Sequence, residues 1–131
     1  MRPQRVASAV YTFGIEEKYF VFDAKTRRAV RRSDKKFLAR ARAKFGGRVM
    51  TEMLQSQIEV ATPPCTGMSE ARGHLARYRR DLGDAAAERG LGLAAMDTFP
   101  LAFWPEQQVT KKQRYDAILD DLQMIGYRNI W

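Results

Sequence analysis

The sequence predicts an α+β protein with a mostly antiparallel sheet and helices packed on one of its faces. Three observations lead there. Residues 10–23 are dense in aromatic and β-branched side chains, the composition of a strand. Residues 54–62 alternate, with Gln55, Gln57 and Glu59 on one face and Ser56, Ile58 and Val60 on the other. Elsewhere apolar residues recur at helical spacing, and strands and helices alternate only loosely, without a glycine-rich phosphate loop.

The elements follow in order. After the first strand, Asp23 to Thr26 reads as a turn, and residues 28–32 as a short strand pairing back. Ser33 is a suitable N-cap for a helix from Asp34 to about Lys44, with Phe37, Leu38, Ala41 and Phe45 on its apolar side and Gly46-Gly47 stopping it. Residues 48–53 and 54–62 form a strand pair or one bent strand, closed by Pro63-Pro64. Ser69 is the expected cap of a long helix to about Arg89, whose buried stripe is Ala71, Leu75, Tyr78, Leu82 and Ala85; Gly90 ends it. A strand over 91–98 and a loop over 99–110 precede a last helix over 112–127, with Tyr115, Ile118, Leu119, Leu122 and Ile125 on one side.

At 131 residues the chain suits a single domain, residues 1–131, able to bury a core without staples. Hydrophobic residues at 45% and charged residues at 29% exclude a disordered chain. No apolar run approaches the ~18 residues of a membrane span, and the first residues do not read as a secretory signal. Cys65 is the only cysteine, which rules out an internal disulfide and favours a reducing, cytoplasmic setting. The net charge of +8 is concentrated between Lys25 and Arg48, where eleven basic residues face one acid, Asp34. Such a cluster can follow phosphates. Stacking aromatics, helix-turn-helix patterning and zinc-finger spacing are absent from it, so a solvated helix face and basic loop are expected and nucleic acid is not the expected partner. His74, the only histidine, reads as a surface residue of the long helix.

Charged residues are uncommon in strands, so Glu16 and Glu17 need a reason. Either the strand has one wet face, or Glu16 points into a polar cavity and holds a cation, with Gly14 allowing close approach of a ligand. Glu59 repeats the situation on a glutamine-rich strand face. Hard cations such as Mg²⁺ take carboxylate oxygens together with water and substrate phosphates; a solvent-exposed sheet face is the plain alternative.

Three segments carry a resemblance: Thr12-Phe13-Gly14-Ile15-Glu16-Glu17-Lys18-Tyr19; Leu54-Gln55-Ser56-Gln57-Ile58-Glu59-Val60-Ala61-Thr62-Pro63; and Arg114-Tyr115 followed by Asp120-Asp121-Leu122-Gln123-Met124. In order and spacing they resemble the bacterial carboxylate–amine ligases of the glutamate–cysteine ligase type 2 family. The resemblance implies a partial glutamine-synthetase-like fold with an open, funnel-like site of antiparallel strands. It implies ATP and Mg²⁺ as cofactors, activation of the γ-carboxylate of glutamate as an acyl phosphate, and attack by the amine of cysteine or another amine. Carried over by motif, Glu16, Glu52 and Glu59 match metal-ligand positions, and Gln57, Arg114 and Tyr115 match substrate-binding positions.

The sequence departs from the family at three places. Lys18 stands where a third glutamate is usual. Asp97 and Phe99, within Ala95 to Pro100, stand where the family has the glycine and histidine of a Gly-Thr-His-Pro turn. The family also continues into a histidine-rich strand beyond the last helix. The chain is therefore expected to match the amino-terminal third of a member, to lack ligase activity alone, and to act as a homo-oligomer, with a complementing chain, or as a non-catalytic interaction module.

Overall fold

The computed structural model describes residues 11–118. In chain order the elements are β1 (Glu16–Asp23), α1 (Lys35–Phe45), β2 (Val49–Thr51), β3 (Gln57–Ala61), α2 (Met68–Ala87) and β4 (Leu91–Ala95). Single 3₁₀ turns at Gly46–Arg48 and Trp104–Glu106 and a helical stretch over 113–118 complete them. The strands form one antiparallel sheet in the order β2-β3-β1-β4. Both helices pack on the same face, so the α+β class and the one-sided packing stand as expected.

Alternation along β1 explains the two faces. Tyr19 and Val21 point to the helix side and join Phe37, Ala41, Phe45, Val49, Ile58, Val60, Tyr78 and Leu82 in the main core. Phe20 and Phe22 point the other way and pack with Leu54 and Phe99 in a smaller cluster. The middle of β1 is thus covered on both faces. Its beginning, at Glu16 and Lys18, is covered only on the helix side.

The helix starts differ from those expected. Asp34 caps α1, its Oδ1 accepting the Phe37 N–H at 2.8 Å. Ser33 is buried one residue earlier, and its hydroxyl finds no partner. Carboxylate and hydroxyl are both good caps, and the residue facing the open first turn took the role. Gly67 rather than Ser69 is the N-cap of α2, and Ser69 lies within the first turn. Gly46 and Gly90, with φ of 61° and 67°, end the two helices in a conformation that glycine adopts freely.

The strands are shorter than the composition suggests. Among the described residues before Glu16 the chain makes only an isolated bridge, Phe13 with Cys65, and residues 28–32 contribute only the bridge of Ala29 to Phe22. In the last helix, Tyr115 is buried and Ile118 exposed; Leu119, Leu122 and Ile125 lie outside the described residues. Among the described residues, no helix is long and apolar enough to cross a membrane.

Among the described residues, four of the eleven basic residues of the segment pair with the fold's own acids. Arg28 and Arg31 pair with Glu106, Arg40 with Glu88, and Lys44 with Asp81.

Candidate functional site

The uncovered end of the sheet forms an open concavity of about 450 Å³, lined by Glu16, Lys18, Glu52, Glu59, Arg114 and Tyr115 together with Met50, Thr51 and Ile118. Three separate segments supply its acids. Glu16 opens β1; Glu59 lies in β3, directly opposite Lys18 in the β1–β3 ladder; Glu52 follows the last residue of β2. Because Glu16, Lys18 and Glu59 occupy same-face positions of paired strands, their side chains must converge.

The loop before residue 113 holds the remaining wall in place. Leu54 bridges Val109, the Thr110 N–H donates to the Met53 carbonyl at 2.7 Å, and Thr110 Oγ1 donates to the Glu52 carbonyl at 2.6 Å. Lys112 Nζ donates to the Thr51 carbonyl at 3.0 Å. These bonds seat Arg114 and Tyr115 beside the acids, with the guanidinium carbon 4.6 Å from the Tyr115 ring centroid. Arg114 also donates to the Tyr115 hydroxyl, a bond that pushes the guanidinium's pKa further up, and Glu52 and Glu59 add to the effect.

Lys18 decides the electrostatics. Its ammonium lies 3.6 Å from Glu52 Oε1 and 3.8 Å from Glu59 Oε2. The two carboxylates are 13% and 12% exposed, and the lysine 43%. Burial, then repulsion from Glu16 and Glu52, holds the Glu59 carboxyl above its ordinary range, and Lys18 opposes that rise. A divalent ion on Glu52 and Glu59 would have to share this small space with an ammonium. At ~4 Å and an effective dielectric of about 20, a like-charged neighbour of that kind costs several kcal/mol before screening. With Lys18 in this position, the residues do not fit a divalent ion between Glu52 and Glu59.

Other positions singled out in the sequence fall elsewhere. Gln57 is buried on the same strand face but does not line the concavity. Asp97 borders a neighbouring hollow with Glu16, Glu17, Lys18, Ala95 and Met96, and its φ is not positive, so an aspartate in place of the family's glycine carries no left-handed backbone strain. Phe99 does not line the concavity: its ring centroid lies 5.5 Å from that of Phe20 and 5.7 Å from that of Phe22. An added Cβ at Gly14 would meet only Thr62, at ordinary contact distance.

Glu17 is a residue whose role the sequence did not reveal. Odd-numbered in β1, it turns to the helix face, where Arg79 of α2 and the Tyr19 hydroxyl both donate to its carboxylate. The Arg79 hydrogen bond, more than any other cause, holds its carboxyl below the usual range. Period-two alternation placed Glu16 and Glu17 on opposite faces; only the helix packing shows that Arg79 waits for the second.

Comparison with known proteins identifies the family that the motifs suggested. Residues 12–130 match the family described as Glutamate-cysteine ligase family 2 (GCS2). A protein of Bradyrhizobium sp. (strain ORS 278), named "Putative glutamate--cysteine ligase 2", is 41% identical over 120 residues, covering 92% of this chain and 29% of its own length. Proteins of the same name from Ectopseudomonas mendocina (strain ymp) and Chloroflexus aurantiacus (strain ATCC 29366 / DSM 635 / J-10-fl) are 39% and 34% identical, over 91% and 89% of this chain and 32% and 30% of theirs. The chain thus spans about 30% of the length of the curated relatives it matches. On the extent of the family match and these identities, the chain belongs to the glutamate–cysteine ligase family 2.

Proposed function

We propose that this chain carries the acidic wall of a carboxylate–amine ligase site of the glutamate–cysteine type, and that residues 1–131 alone do not turn over. The observation that carries the reading is the convergence of Glu16, Glu52 and Glu59, from three different segments, on one concavity with Arg114 and Tyr115.

The reaction moves a phosphoryl group from ATP to the γ-carboxylate of glutamate, and the amine of cysteine then displaces phosphate from the acyl phosphate. Such transfers depend on positioning and on neutralising phosphate charge. In this chain Arg114 is suited to hold a carboxylate or phosphate oxygen, and Tyr115 to buttress it. Lys18 supplies a positive charge at the floor. Mg²⁺, the family's usual charge-neutralising ion, does not fit between Glu52 and Glu59 beside Lys18. That mismatch supports the absence of turnover in the isolated chain.

Two measurements test the reading. ADP release from glutamate, cysteine, ATP and Mg²⁺ should stay at background with the 131-residue chain; turnover above background overturns its inactivity. Amide chemical-shift mapping of Lys18→Glu with Mg²⁺-ATP should move residues 16–18, 50–52, 59 and 114–115. Shifts confined to other parts of the chain, or none, overturn the site assignment.

A further inference from the structure

The chain has one cysteine and one histidine, and the fold brings them together. Cys65 follows the Pro63-Pro64 turn that ends β3. Glu70 and His74 lie four residues apart in α2, on one helix face. One ligand atom from each of the three side chains lies within 4.8 Å of the others.

Neighbouring contacts hold the segments that carry the three side chains. Cys65 is fixed by two backbone hydrogen bonds with Phe13, at 2.7 and 3.0 Å. The Thr66 N–H donates to Glu70 Oε2 at 2.9 Å, which turns the carboxylate back toward the residue after Cys65. His74 is half-buried with its ring centroid 6.2 Å from that of Tyr78, not a free surface side chain as its position on the helix suggested. Neither cysteine nor histidine has any part in the acidic concavity.

We propose that Cys65, Glu70 and His74 form a binding site for a zinc-class cation. Thiolate and imidazole select a borderline-soft ion, whereas Mg²⁺ and Ca²⁺ require oxygen alone. Zinc bonds of about 2.0–2.3 Å in tetrahedral array set donor atoms roughly 3.5 Å apart. From a spacing of at most 4.8 Å that asks for a closure of at most about 1.3 Å, which χ rotation of the exposed Glu70 and half-buried His74 side chains can supply. Three protein ligands leave the fourth position to water. On binding, the Cys65 S–H bond breaks, its proton passes to solvent, and a sulfur–metal bond replaces the thiol's 3.1 Å hydrogen bond to the Pro63 carbonyl. The ion ties the turn after β3 to the first turns of α2, so its effect is on stability. The site is independent of the ligase reading.

Untagged 131-residue chain titrated with Co²⁺ tests it, with Zn²⁺ in parallel melts. One Co²⁺ per chain should bind with sulfur-to-cobalt charge-transfer absorption, and Zn²⁺ should raise Tm in a way that EDTA reverses. Cys65→Ser should abolish the absorption. His74→Gln should weaken affinity at least about tenfold. Glu88→Gln, at the far end of α2, should leave both readouts unchanged. Cys65 is fully buried and its replacement can impair folding, so the half-buried His74 position decides. A folded wild type without charge-transfer absorption, or with absorption and affinity untouched by His74→Gln, overturns the proposal.

Discussion

Lys18 and Glu59 are direct partners across the β1–β3 ladder, and their charged ends lie 3.8 Å apart on the open side of the sheet. Glu52 completes the arrangement at 3.6 Å from the same ammonium. The cation between these two carboxylates is a side chain. Lys18→Glu should therefore raise the affinity for Mg²⁺-ATP at least about tenfold, since exchanging a positive for a negative neighbour beside a divalent ion is worth on the order of 10 kcal/mol before screening. Lys18→Met should fall between. Calorimetric titration of the three chains reads this, and equal heats from all of them would contradict it.

On the helix face, the Glu17–Arg79 pair predicts a pH effect. The folded carboxyl titrates below the ordinary glutamate range, chiefly because Arg79 donates to it. Its stabilisation is full above the unfolded-state value and is lost as pH falls through the folded one. Glu17→Gln should lower stability by about 1 kcal/mol at neutral pH, a modest figure because Arg79 is largely exposed. The difference should shrink progressively as the pH is lowered from neutral to strongly acid, through and below the ordinary glutamate range. Urea midpoints across this pH range check it; a gap that persists in acid would show that packing, not charge, is responsible.

Asp34 and Ser33 predict opposite outcomes at adjacent positions. Asp34→Ala removes the α1 cap and should cost about 1 kcal/mol. Ser33→Ala removes a buried hydroxyl without a partner and should be neutral or slightly stabilising. Thermal melts of both variants decide between the two residues as cap.

Gly92 pairs with Phe22 across the β1–β4 ladder, and the aromatic ring lies where a Cβ would stand. Gly92→Ala should destabilise by about 1–3 kcal/mol, because the ring, stacked on Phe99, must move. Phe22→Leu should recover part of that loss in the double variant, measured by denaturant unfolding.

Local pattern alone was enough for several features. Apolar spacing in Phe37, Ala41 and Phe45, and in Ala71, Tyr78 and Leu82, sets which helix faces are buried. Alternation around Ile58 and Val60 puts Glu59 on the opposite strand face. The motifs around Glu16 and Glu59 mark the family. These depend on period and residue type, both written locally along the chain.

Tertiary structure decided the rest, because each remaining feature depends on residues far apart in sequence. Which acid of the Glu16-Glu17 pair meets a cation depended on where α2 placed Arg79. The burial of Phe99 depended on Phe20 and Phe22 reaching the same side of the sheet. Whether Lys18 turned away from the acids or settled between them depended on strand register, which set it opposite Glu59 and within reach of Glu52. Register and packing are properties of pairs of segments, and no single stretch of sequence contains them.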